Sequence, residues 1–492
     1  MKPTRTLGGP ALAPALLLLT LCLSSLYLRA ENVDLIYAFT NSLPKQIDGA
    51  TPQPGLLLST NGELYGATVN GGSNSSGALF ILTTNGTLQP WHAFNYTPDG
   101  ANPAAGVIRG SNGLFYGTTP LSGAASTNQG CVYQITAAGI LTTLYSFPNL
   151  SRQTNSTGAT PAGTLVQGTN GLFYGVTSAG GLRTNGTIFS VSASGQFTLR
   201  YTFTNGLDGG KPLAGLLLSS NGLFYGITSS GGSNGAGTIF KMTHAGAVTP
   251  LHSLTGAVDG TGATAPLVQT RAGLLVGAAA GGGSNSTGTI FQVTTNGAFS
   301  LLYTFGAKAP AYPFQNDDGA TPKALLINAA GNYYGVASVG GTNGEGCVFE
   351  VTPAGDFRSV YAFTALSFGS PQTNAEGANP NGIVQAPDGS YYATAAHGGV
   401  AGFGTVFRIS IPTPDVTVYF SGESGDLTYG NGTFQTLITN VPGSATVIIE
   451  GSTDFATWTP LFTNAPGAAQ FQFSDDHAGD YPARFYRAII SP

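Results

Sequence analysis

From about residue 33 to residue 410, short runs rich in β-branched and aromatic residues alternate with glycine-rich and Asn-Gly segments. A period of two between apolar and polar positions predicts β-strands, and the flanking glycine and asparagine residues predict turns. Helical periodicity is absent from these runs. One representative unit contains the predicted strands 216–219, 223–228, 237–243 and 248–254. The pattern therefore predicts units of four short strands.

One phrase, Asn-Gly-Leu-Phe-Tyr-Gly or a degenerate copy of it, recurs through the chain. Its closing positions are 66, 117, 175, 226, 277, 335 and 393, so successive copies lie 51 or 58 residues apart. A Gly-rich loop follows each copy, then Gly-x-[Ile/Val/Leu]-[Phe/Tyr], and 14 residues later the end of a [Tyr/His]-x-Phe strand. Because one inserted residue would turn every later side chain to the wrong face, this constant interval predicts a constant strand–turn–strand unit.

Seven units of ~51–58 residues, each with four antiparallel strands, predict an all-β fold with the kelch-like period of a seven-bladed β-propeller. Residues 33–39 supply an extra Tyr-x-Phe strand before the first complete copy, and the seventh copy stops near residue 409 without one. We expect the N-terminal strand to complete the seventh blade and close the ring, which removes an open sheet edge. The alternative is an open solenoid, which would need capping repeats.

Two recurring glycines have predicted roles. Asn-Gly is the favoured pair of a type I′ hairpin turn, in which glycine tolerates a positive φ. The closing glycine of the repeated phrase is predicted to let neighbouring blades approach closely.

The composition agrees with a large β protein. The 492 residues include 73 glycines, only 8% are charged, and the formal net charge is −5. An average soluble domain has about 25% charged residues and about 7% glycine. The 28 Phe and 21 Tyr residues exclude disorder, and 17 thinly spread Lys and Arg residues argue against a nucleic-acid partner.

The chain begins with a segment typical of a secretory signal peptide. Basic residues precede an apolar run at 11–28, and cleavage after Ala30 is the favoured interpretation. A membrane anchor and lipid attachment at Cys22 are the alternatives. We therefore expect a secreted, cell-surface or periplasmic protein that has no membrane span after cleavage.

We predict four regions. They are a signal peptide at 1–30, the seven-bladed propeller at 31–410, a proline-containing linker at 411–415 and a C-terminal β-sandwich module at 416–492. The predicted strands of the module are 416–420, 433–437, 445–450, 457–462 and 469–473. Surface attachment and a stabilising appendage are both open roles for it.

The repeated residues resemble a known family. Asn-Gly-Leu-Phe-Tyr-Gly-x-Thr, followed by Gly-Gly and Gly-Thr-Ile-Phe-x-Val-Thr, is similar to the GloVer tandem repeat of exported bacterial proteins. The resemblance covers residues 33–410 and weakens at 273–277, where both aromatics are lost, and at Ala393. The segment 452–487 resembles a C-terminal module of exported proteins from the same bacteria. The resemblance implies a repeat architecture and export, and it implies no particular activity.

Catalytic and metal-binding patterns are sparse in the sequence. The five histidines are scattered, and His92 and His252 take the Tyr place of the Tyr-x-Phe strand, which favours a structural role. Cys131 and Cys347 take a position held by Thr in other copies, and we expect free, buried thiols. The sequence has neither a nucleophile elbow nor a phosphate-binding loop. No catalytic residue, metal or cofactor is predicted.

Acidic residues recur just before a glycine in the predicted inter-blade loops. They are Asp48, Asp99, Asp208, Asp259 and Asp318, with Glu376 in the corresponding place. One interpretation is an Asx turn in which the carboxylate caps loop amides. The other is a ring of carboxylates that faces a cation or another ligand.

The longest of these loops precede the third, sixth and seventh copies. One of them combines aromatic and acidic residues: Tyr312, Phe314, Asp317 and Asp318. Because loops on a rigid scaffold carry specificity, we predict a ligand-binding patch there. The alternative is a solvent-exposed loop insertion that has no binding role.

Taken together, the sequence favours a non-enzymatic, exported propeller that binds a glycan or a cell-envelope component through its inter-blade loops. One alternative is a polysaccharide hydrolase or lyase, for which Asp317 and Glu376 could supply two carboxylates from different blades. The other is a structural or assembly protein of the cell surface, since low charge favours self-association. No oligomeric state is predicted.

Overall fold

The structure is a computed structural model, and it describes most of the repeat region and parts of the C-terminal region. The described residues are 32–40, 48–152, 154–310, 314–410, 419–420, 427–430, 433–439, 446–452, 459–464, 470–477 and 485–491. The predicted signal peptide and linker lie outside them. Every regular element in the described residues is a β-strand, so the fold class is all-β. No helix suited to crossing a membrane occurs in this part of the chain.

The strands of the repeat region are short and follow the predicted units. The first are β1 (Asn32–Ala38), β2 (Ala50–Pro52), β3 (Leu57–Leu58), β4 (Glu63–Asn70), β5 (Ala78–Thr83), β6 (Leu88–Ala93), β7 (Ile108–Arg109), β8 (Phe115–Thr119), β9 (Cys131–Ile135), β10 (Leu141–Ser146), β11 (Ala159–Gln167), β12 (Phe173–Ala179), β13 (Thr187–Val191) and β14 (Phe197–Thr202). The others are β15 (Leu217–Leu218), β16 (Phe224–Ile227), β17 (Thr238–Met242), β18 (Val248–Ser253), β19 (Val268–Gln269), β20 (Leu275–Ala279), β21 (Thr289–Val293), β22 (Phe299–Thr304), β23 (Ala320–Ile327), β24 (Tyr333–Val339), β25 (Cys347–Val351), β26 (Phe357–Ala362), β27 (Ala378–Gln385), β28 (Tyr391–His397) and β29 (Thr405–Ser410).

These strands form small antiparallel sheets, one for each copy of the repeat. Sheet 1 contains β2–β6, sheet 2 contains β7–β10, sheet 3 contains β11–β14, sheet 4 contains β15–β18, sheet 5 contains β19–β22, sheet 6 contains β23–β26, and sheet 7 contains β27–β29 together with β1. In sheet 7, β1 pairs with β29, and Leu35 lies opposite Phe407. The N-terminal strand is therefore the outermost strand of the last sheet.

The hydrophobic core of the repeat region lies between sheets. Consecutive sheets share one buried cluster at each junction from sheet 1 to sheet 7. A further cluster joins the last sheet to the first, with Tyr392 and Val406 of sheet 7 packed with Leu64 and Phe80 of sheet 1. Because both faces of a sheet are covered in this way, few positions remain for charged side chains.

The segment that leads into each sheet has a residue with a left-handed backbone at a fixed place in the repeat: Thr51, Asn102, Thr160, Lys211, Gly262, Thr321 and Asn379. In sheets 1–4, 6 and 7 the N–H of this residue donates to a carbonyl of the preceding sheet. The N–H of Asn102 donates to the Ser76 carbonyl at 2.8 Å, and the N–H of Thr51 donates to the Phe403 carbonyl of sheet 7 at 2.9 Å. This recurring contact fixes the position of these six sheets against their predecessors.

The Asn-Gly turns differ from the prediction. At Asn221-Gly222 only the glycine has a positive φ, of 79°. Its N–H donates to the Ser219 carbonyl at 2.9 Å, so this is a three-residue loop that ends in a left-handed glycine. The prediction of type I′ turns was wrong because Ser220 precedes the pair as a third loop residue. The Asn221 side chain instead donates to the Tyr225 hydroxyl at 2.8 Å.

The closing glycine of the phrase also has a different role from the predicted one. Gly226 lies opposite Phe240 of the adjacent strand in its own sheet. A Cβ atom at Gly226 would lie 2.5 Å from Cζ of that ring. The glycine therefore makes room for an aromatic ring of the same sheet, and the prediction that it lets neighbouring blades approach was wrong.

Close approach between sheets occurs at other glycines. A Cβ atom at Gly106 would lie 1.9 Å from the carbonyl oxygen of Gly55, and one at Gly163 would lie 2.2 Å from the nitrogen of Gly215. Gly55 and Gly106 come shortly before β3 and β7, the two-residue strands of sheets 1 and 2. Backbone meets backbone at these points, so no side chain fits.

The C-terminal region forms two further sheets. Its strands are β30 (Tyr419–Phe420), β31 (Leu427–Gly430), β32 (Thr433–Thr439), β33 (Thr446–Ser452), β34 (Thr459–Asn464), β35 (Phe471–Asp475) and β36 (Phe485–Ser491). β32 pairs with β30, β31 and β35, and β33 pairs with β34 and β36. Ile438 and Phe473 of one sheet share a buried cluster with Val447 and Ile449 of the other. The sequence did not predict β31 and β36.

Candidate functional site

Five aspartates of the inter-sheet loops are buried, and their carboxylates hold their own loops: Asp48, Asp99, Asp208, Asp259 and Asp318. In the clearest case, Asp259 accepts from His252 Nε2 at 2.8 Å, from the Thr255 N–H at 2.6 Å and from the Gly256 N–H at 3.2 Å. Burial acts to raise the pKa of Asp259, but hydrogen bonds from Thr255 and His252 outweigh it and lower the pKa. The carboxylate is therefore held charged by donors of the protein itself.

The same arrangement recurs around the other acids. Asp208 accepts from the Tyr201 hydroxyl at 3.0 Å and from the Thr204 N–H at 2.8 Å. Further carboxylate contacts join Asp48 to Tyr37 and Thr40, Asp99 to His92 and Asn95, Asp318 to Tyr303 and Gly306, and Glu376 to Thr364. Burial and the neighbouring carboxylate raise the pKa of Tyr201 to about 12. This is the loop-capping arrangement that the sequence allowed.

These contacts confirm a structural role for His92 and His252, each of which lies 2.8 Å from its aspartate. Within the described ranges, no three His, Cys, Asp or Glu side chains lie close enough together to hold a metal ion.

Both described cysteines are free and fully buried, as predicted. Cys131 Sγ donates to the Asp99 carbonyl at 3.1 Å, and Cys347 Sγ donates to the Asp318 carbonyl at 3.3 Å. In sheet 5 the hydroxyl of Thr289 makes the same contact with Asp259. Burial raises the pKa of Cys131 to about 12, so the thiol is unreactive.

An asparagine that the sequence analysis did not single out organises each of the three long loops. Asn374 Oδ1 accepts from the N–H groups of Gly377 and Gly399 at 2.8 and 3.0 Å, and its Nδ2 donates to the Thr364 and Gly377 carbonyls at 3.0 and 2.7 Å. Asn155 and Asn316 make equivalent bonds. The recurring Asn-x-x-Gly in these loops is the sequence signal for this role.

We expect the substitution Asn374→Asp to lower the free energy of unfolding by about 2 kcal/mol at neutral pH. A carboxylate cannot donate, so it would face two carbonyl oxygens that lose their partner. Chemical denaturation measures the change. Asn112→Asp is the matched control, because an aspartate there still accepts from the Leu114 N–H. The Tyr116 hydroxyl, which accepts from Asn112 Nδ2 in the wild type, can donate to the new carboxylate instead. Equal losses in the two variants would contradict this role.

Two types of loop meet at one end of each sheet, and we call their surface the loop face. Inter-sheet loops follow the outer strand, and Gly-rich loops join the second and third strands. In sheet 1, Asn74 of the Gly-rich loop donates to the Phe94 carbonyl at the start of the inter-sheet loop at 3.2 Å. The exposed large apolar residues in these loops are Tyr96, Leu121, Leu182, Leu207, Val258, Phe314, Phe368 and Val400.

The residues of the predicted patch in the loop before sheet 6 do not all lie at the surface. Phe314 is 44% exposed, and Lys308 Nζ lies 5.8 Å from the centre of its ring. Asp317 is exposed, whereas Asp318 is buried beneath the loop. Tyr312 lies outside the described residues. The structure therefore leaves Phe314 and Asp317 available at the surface.

A cavity of about 950 Å³ lies where the first strands of the seven sheets meet. Each sheet contributes the residue at one fixed place in the repeat, directly after Pro or, in sheet 5, after Ala263. These residues are Gln53, Ala104, Ala162, Leu213, Thr264, Lys323 and Asn381. The position before them is proline in six of seven copies, while this position varies in size and polarity.

The ionisable groups of the cavity lining are Lys323 and His397. Among the residues that the structure describes, no Asp or Glu belongs to this lining. Burial lowers the pKa of Lys323 below its usual value, with no carboxylate to offset the effect. No described side chain forms an ion pair with Lys323. This site was not predicted from the sequence, although an alignment of the seven copies shows the variable position after proline.

The fold and these sites define a tandem-repeat β protein with one small sheet per repeat. The chain matches the Gloeobacter/Verrucomicrobia repeat over residues 25–216, 149–316 and 309–447. It therefore belongs to this repeat family. No curated protein matches the chain.

Several solved structures are similar at low identity. The extracellular domain of a B. thetaiotaomicron protein, described as a hybrid two-component system, is 12% identical with a TM-score of 0.47 and covers 90% of this chain. This chain spans 55% of that structure's length. A puromycin-hydrolyzing peptidase of Mycobacterium tuberculosis is 9% identical with a TM-score of 0.44, and the match covers 82% of this chain and 62% of that one. At these levels the likenesses say nothing about what this chain binds or catalyses.

Proposed function

We propose that this chain is an exported, non-enzymatic β-propeller of seven blades that binds a glycan of the cell envelope through its loop face. Closure of the ring is supported by the cluster shared between sheets 7 and 1. It is supported further by Asn381 of sheet 7, whose side chain donates to the Pro52 carbonyl of sheet 1 at 2.8 Å. The N-terminal strand supplies the fourth strand of sheet 7, so every blade has four strands or more.

The observation that carries the binding role is the repeated exposure of apolar side chains on the loop face. Phe368 is 97% exposed, Leu207 is 67% exposed and Val258 is 63% exposed, in loops that are otherwise held by buried carboxylates and asparagines. Exposed aromatic rings such as Tyr96, Phe314 and Phe368 suit stacking against the apolar faces of sugar rings. Exposed apolar side chains that are held in place by a rigid scaffold are typical of a binding surface.

The predicted leader at 1–30 and the family resemblance support export and a location at the cell surface, in the periplasm or outside the cell. A glycan of the envelope is the ligand that such a protein meets there. The capped carboxylates make an acid/base pair on the loop face a weaker proposal than binding, because their oxygens accept hydrogen bonds from their own loops.

A glycan-array screen of residues 31–492 tests this function. The variant Tyr96→Ser/Phe314→Ser/Phe368→Ser should lose the binding of the wild type. The matched control Ile140→Ser/Leu199→Ser/Leu301→Ser removes exposed apolar side chains that lie away from the loop face and should bind as the wild type does. Equal loss in both variants, or no glycan bound by the wild type, would contradict the proposal. Loss of self-association in the loop-face variant alone would favour an assembly role instead.

A further inference from the structure

We propose that the cavity among the first strands binds a small sugar acid, with Lys323 holding its carboxylate. This site is separate from the loop face, and the proposal does not depend on glycan binding there. The protein would then have a second ligand-binding site, inside the ring of sheets.

The size of the cavity fits a small ligand. Its volume of about 950 Å³ lies at the upper end of the ~300–1,000 Å³ that is usual for small-molecule sites. Gly55, Gly163, Gly215 and Gly382 are part of its lining, where the backbones of neighbouring sheets approach closely. A monosaccharide or disaccharide would be enclosed there.

The positive charge of Lys323 on the cavity lining favours an anionic ligand. Lys323 is half-buried and unpaired, in a lining without carboxylates, within a protein whose formal net charge is −5. Removing an ammonium group from water without a partner costs free energy, and a purely structural position would be filled more favourably by an apolar residue. A bound carboxylate would supply the missing partner through a charge-assisted hydrogen bond.

The place of Lys323 in the repeat points to specificity. The preceding proline and the left-handed residue two positions before the lysine recur because they build the first strand. The position after proline is free to vary, and all seven of its side chains belong to the cavity lining. Among these seven positions only that of sheet 6 holds a charged residue, Lys323. The seven positions therefore place one cationic group on one side of the cavity.

Polar groups elsewhere on the cavity lining suit a hydroxylated ligand rather than a bare ion. Gln53, Thr164 and His397 place amide, hydroxyl and imidazole groups on the lining. Access is available from the loop face, because Ser178, Ser338 and His397 also line the cavity and stand at the ends of second strands, directly before Gly-rich loops. A sugar acid therefore meets both requirements, a carboxylate for Lys323 and hydroxyls for its neighbours.

Isothermal titration of residues 31–492 with glucuronate, galacturonate and mannuronate, and with the matching neutral hexoses, tests this site. At least one hexuronate should bind, with its neutral hexose about tenfold weaker or more. Lys323→Gln should weaken hexuronate binding about tenfold or more, Lys323→Arg should retain part of it, and Lys241→Gln, a lysine in β17 away from the cavity, should leave it unchanged. The melting temperature of Lys323→Gln should not fall, because the variant removes a half-buried charge that forms no ion pair with a described side chain.

The loop-face variant Tyr96→Ser/Phe314→Ser/Phe368→Ser should bind the hexuronate as the wild type does, which separates this site from the proposed glycan surface. Four results would overturn the proposal. They are equal weakening by Lys241→Gln and Lys323→Gln, no preference for hexuronates over hexoses, binding of inorganic phosphate as tight as that of the best hexuronate, and absence of binding by every hexuronate.

Discussion

The substitution Gly106→Ala is expected to lower the free energy of unfolding by about 3 kcal/mol, near the top of the range for overpacked interiors. The added Cβ would lie 1.9 Å from the carbonyl oxygen of Gly55 in the adjacent sheet. Neither partner is a flexible side chain, so the two sheets would have to separate. The Gly106 N–H also donates to the Pro54 carbonyl at 2.9 Å, and separation would lengthen that bond.

Gly281→Ala is the matched control for this prediction. Its Cβ would meet the Thr261 side chain at an ordinary 3.6 Å, and neither Gly106 nor Gly281 has a left-handed φ. We expect a change within about 1 kcal/mol there. Thermal and urea denaturation of the two variants give the comparison, and a loss of similar size in both would show that the sheets do not meet closely at Gly106.

The substitution Asp259→Ala is expected to lower the free energy of unfolding by about 2–3 kcal/mol at pH 7. It leaves the Thr255 and Gly256 N–H groups and the His252 ring without their acceptor, and groups left without a partner on burial cost about 1–3 kcal/mol. Asp317→Ala, which removes an exposed carboxylate, should change stability by about 0.5 kcal/mol or less.

The effect of Asp259 should also depend on pH. Burial acts to raise its pKa, but the hydrogen bonds from Thr255 and His252 lower the pKa below its ordinary value of 3.8. A lowered carboxyl pKa stabilises the folded protein above pH 3.8, and that contribution is lost as the pH falls through the lower folded value. The difference in melting temperature between the wild type and Asp259→Ala should therefore narrow from pH 7 to pH 3. A constant difference would contradict a charged carboxylate as the loop cap.

The strands and their repeat could be predicted from the sequence because the pattern that defines them is local. The interval of 14 residues between Phe189 and Phe203 predicts the β13–β14 hairpin, and the spare Tyr-x-Phe at the N-terminus predicts the strand that joins sheet 7. Pairing of His92 with Asp99 also follows a recurring spacing, although the sequence left ligand binding open as the alternative to capping for that acid.

Features that depend on neighbours across the fold could not be predicted in the same way. The closing glycine was assigned to contacts between blades because its true neighbour is known only from the strand register. For Gly226 that neighbour is the aromatic side chain of Phe240 in the adjacent strand. The cavity requires all seven first strands to be placed together, so the importance of Lys323 is not visible within its own repeat. The hydrogen-bonded asparagines of the long loops, such as Asn374, depend likewise on a loop from the same sheet.

Closure of the seven sheets into a ring is the central claim, because both the loop face and the cavity depend on it. Asp34 of β1 lies opposite Arg408 of β29, so cysteines at these two positions would face each other across paired strands. In Asp34→Cys/Arg408→Cys, mild oxidation should give an intramolecular disulfide that is seen as faster migration on a non-reducing gel. The control Asp34→Cys/Arg358→Cys, with its second cysteine in sheet 6, should not form one. Efficient cross-linking of the first pair alone is the predicted result, and its absence, or cross-links only between molecules, would contradict the closed ring.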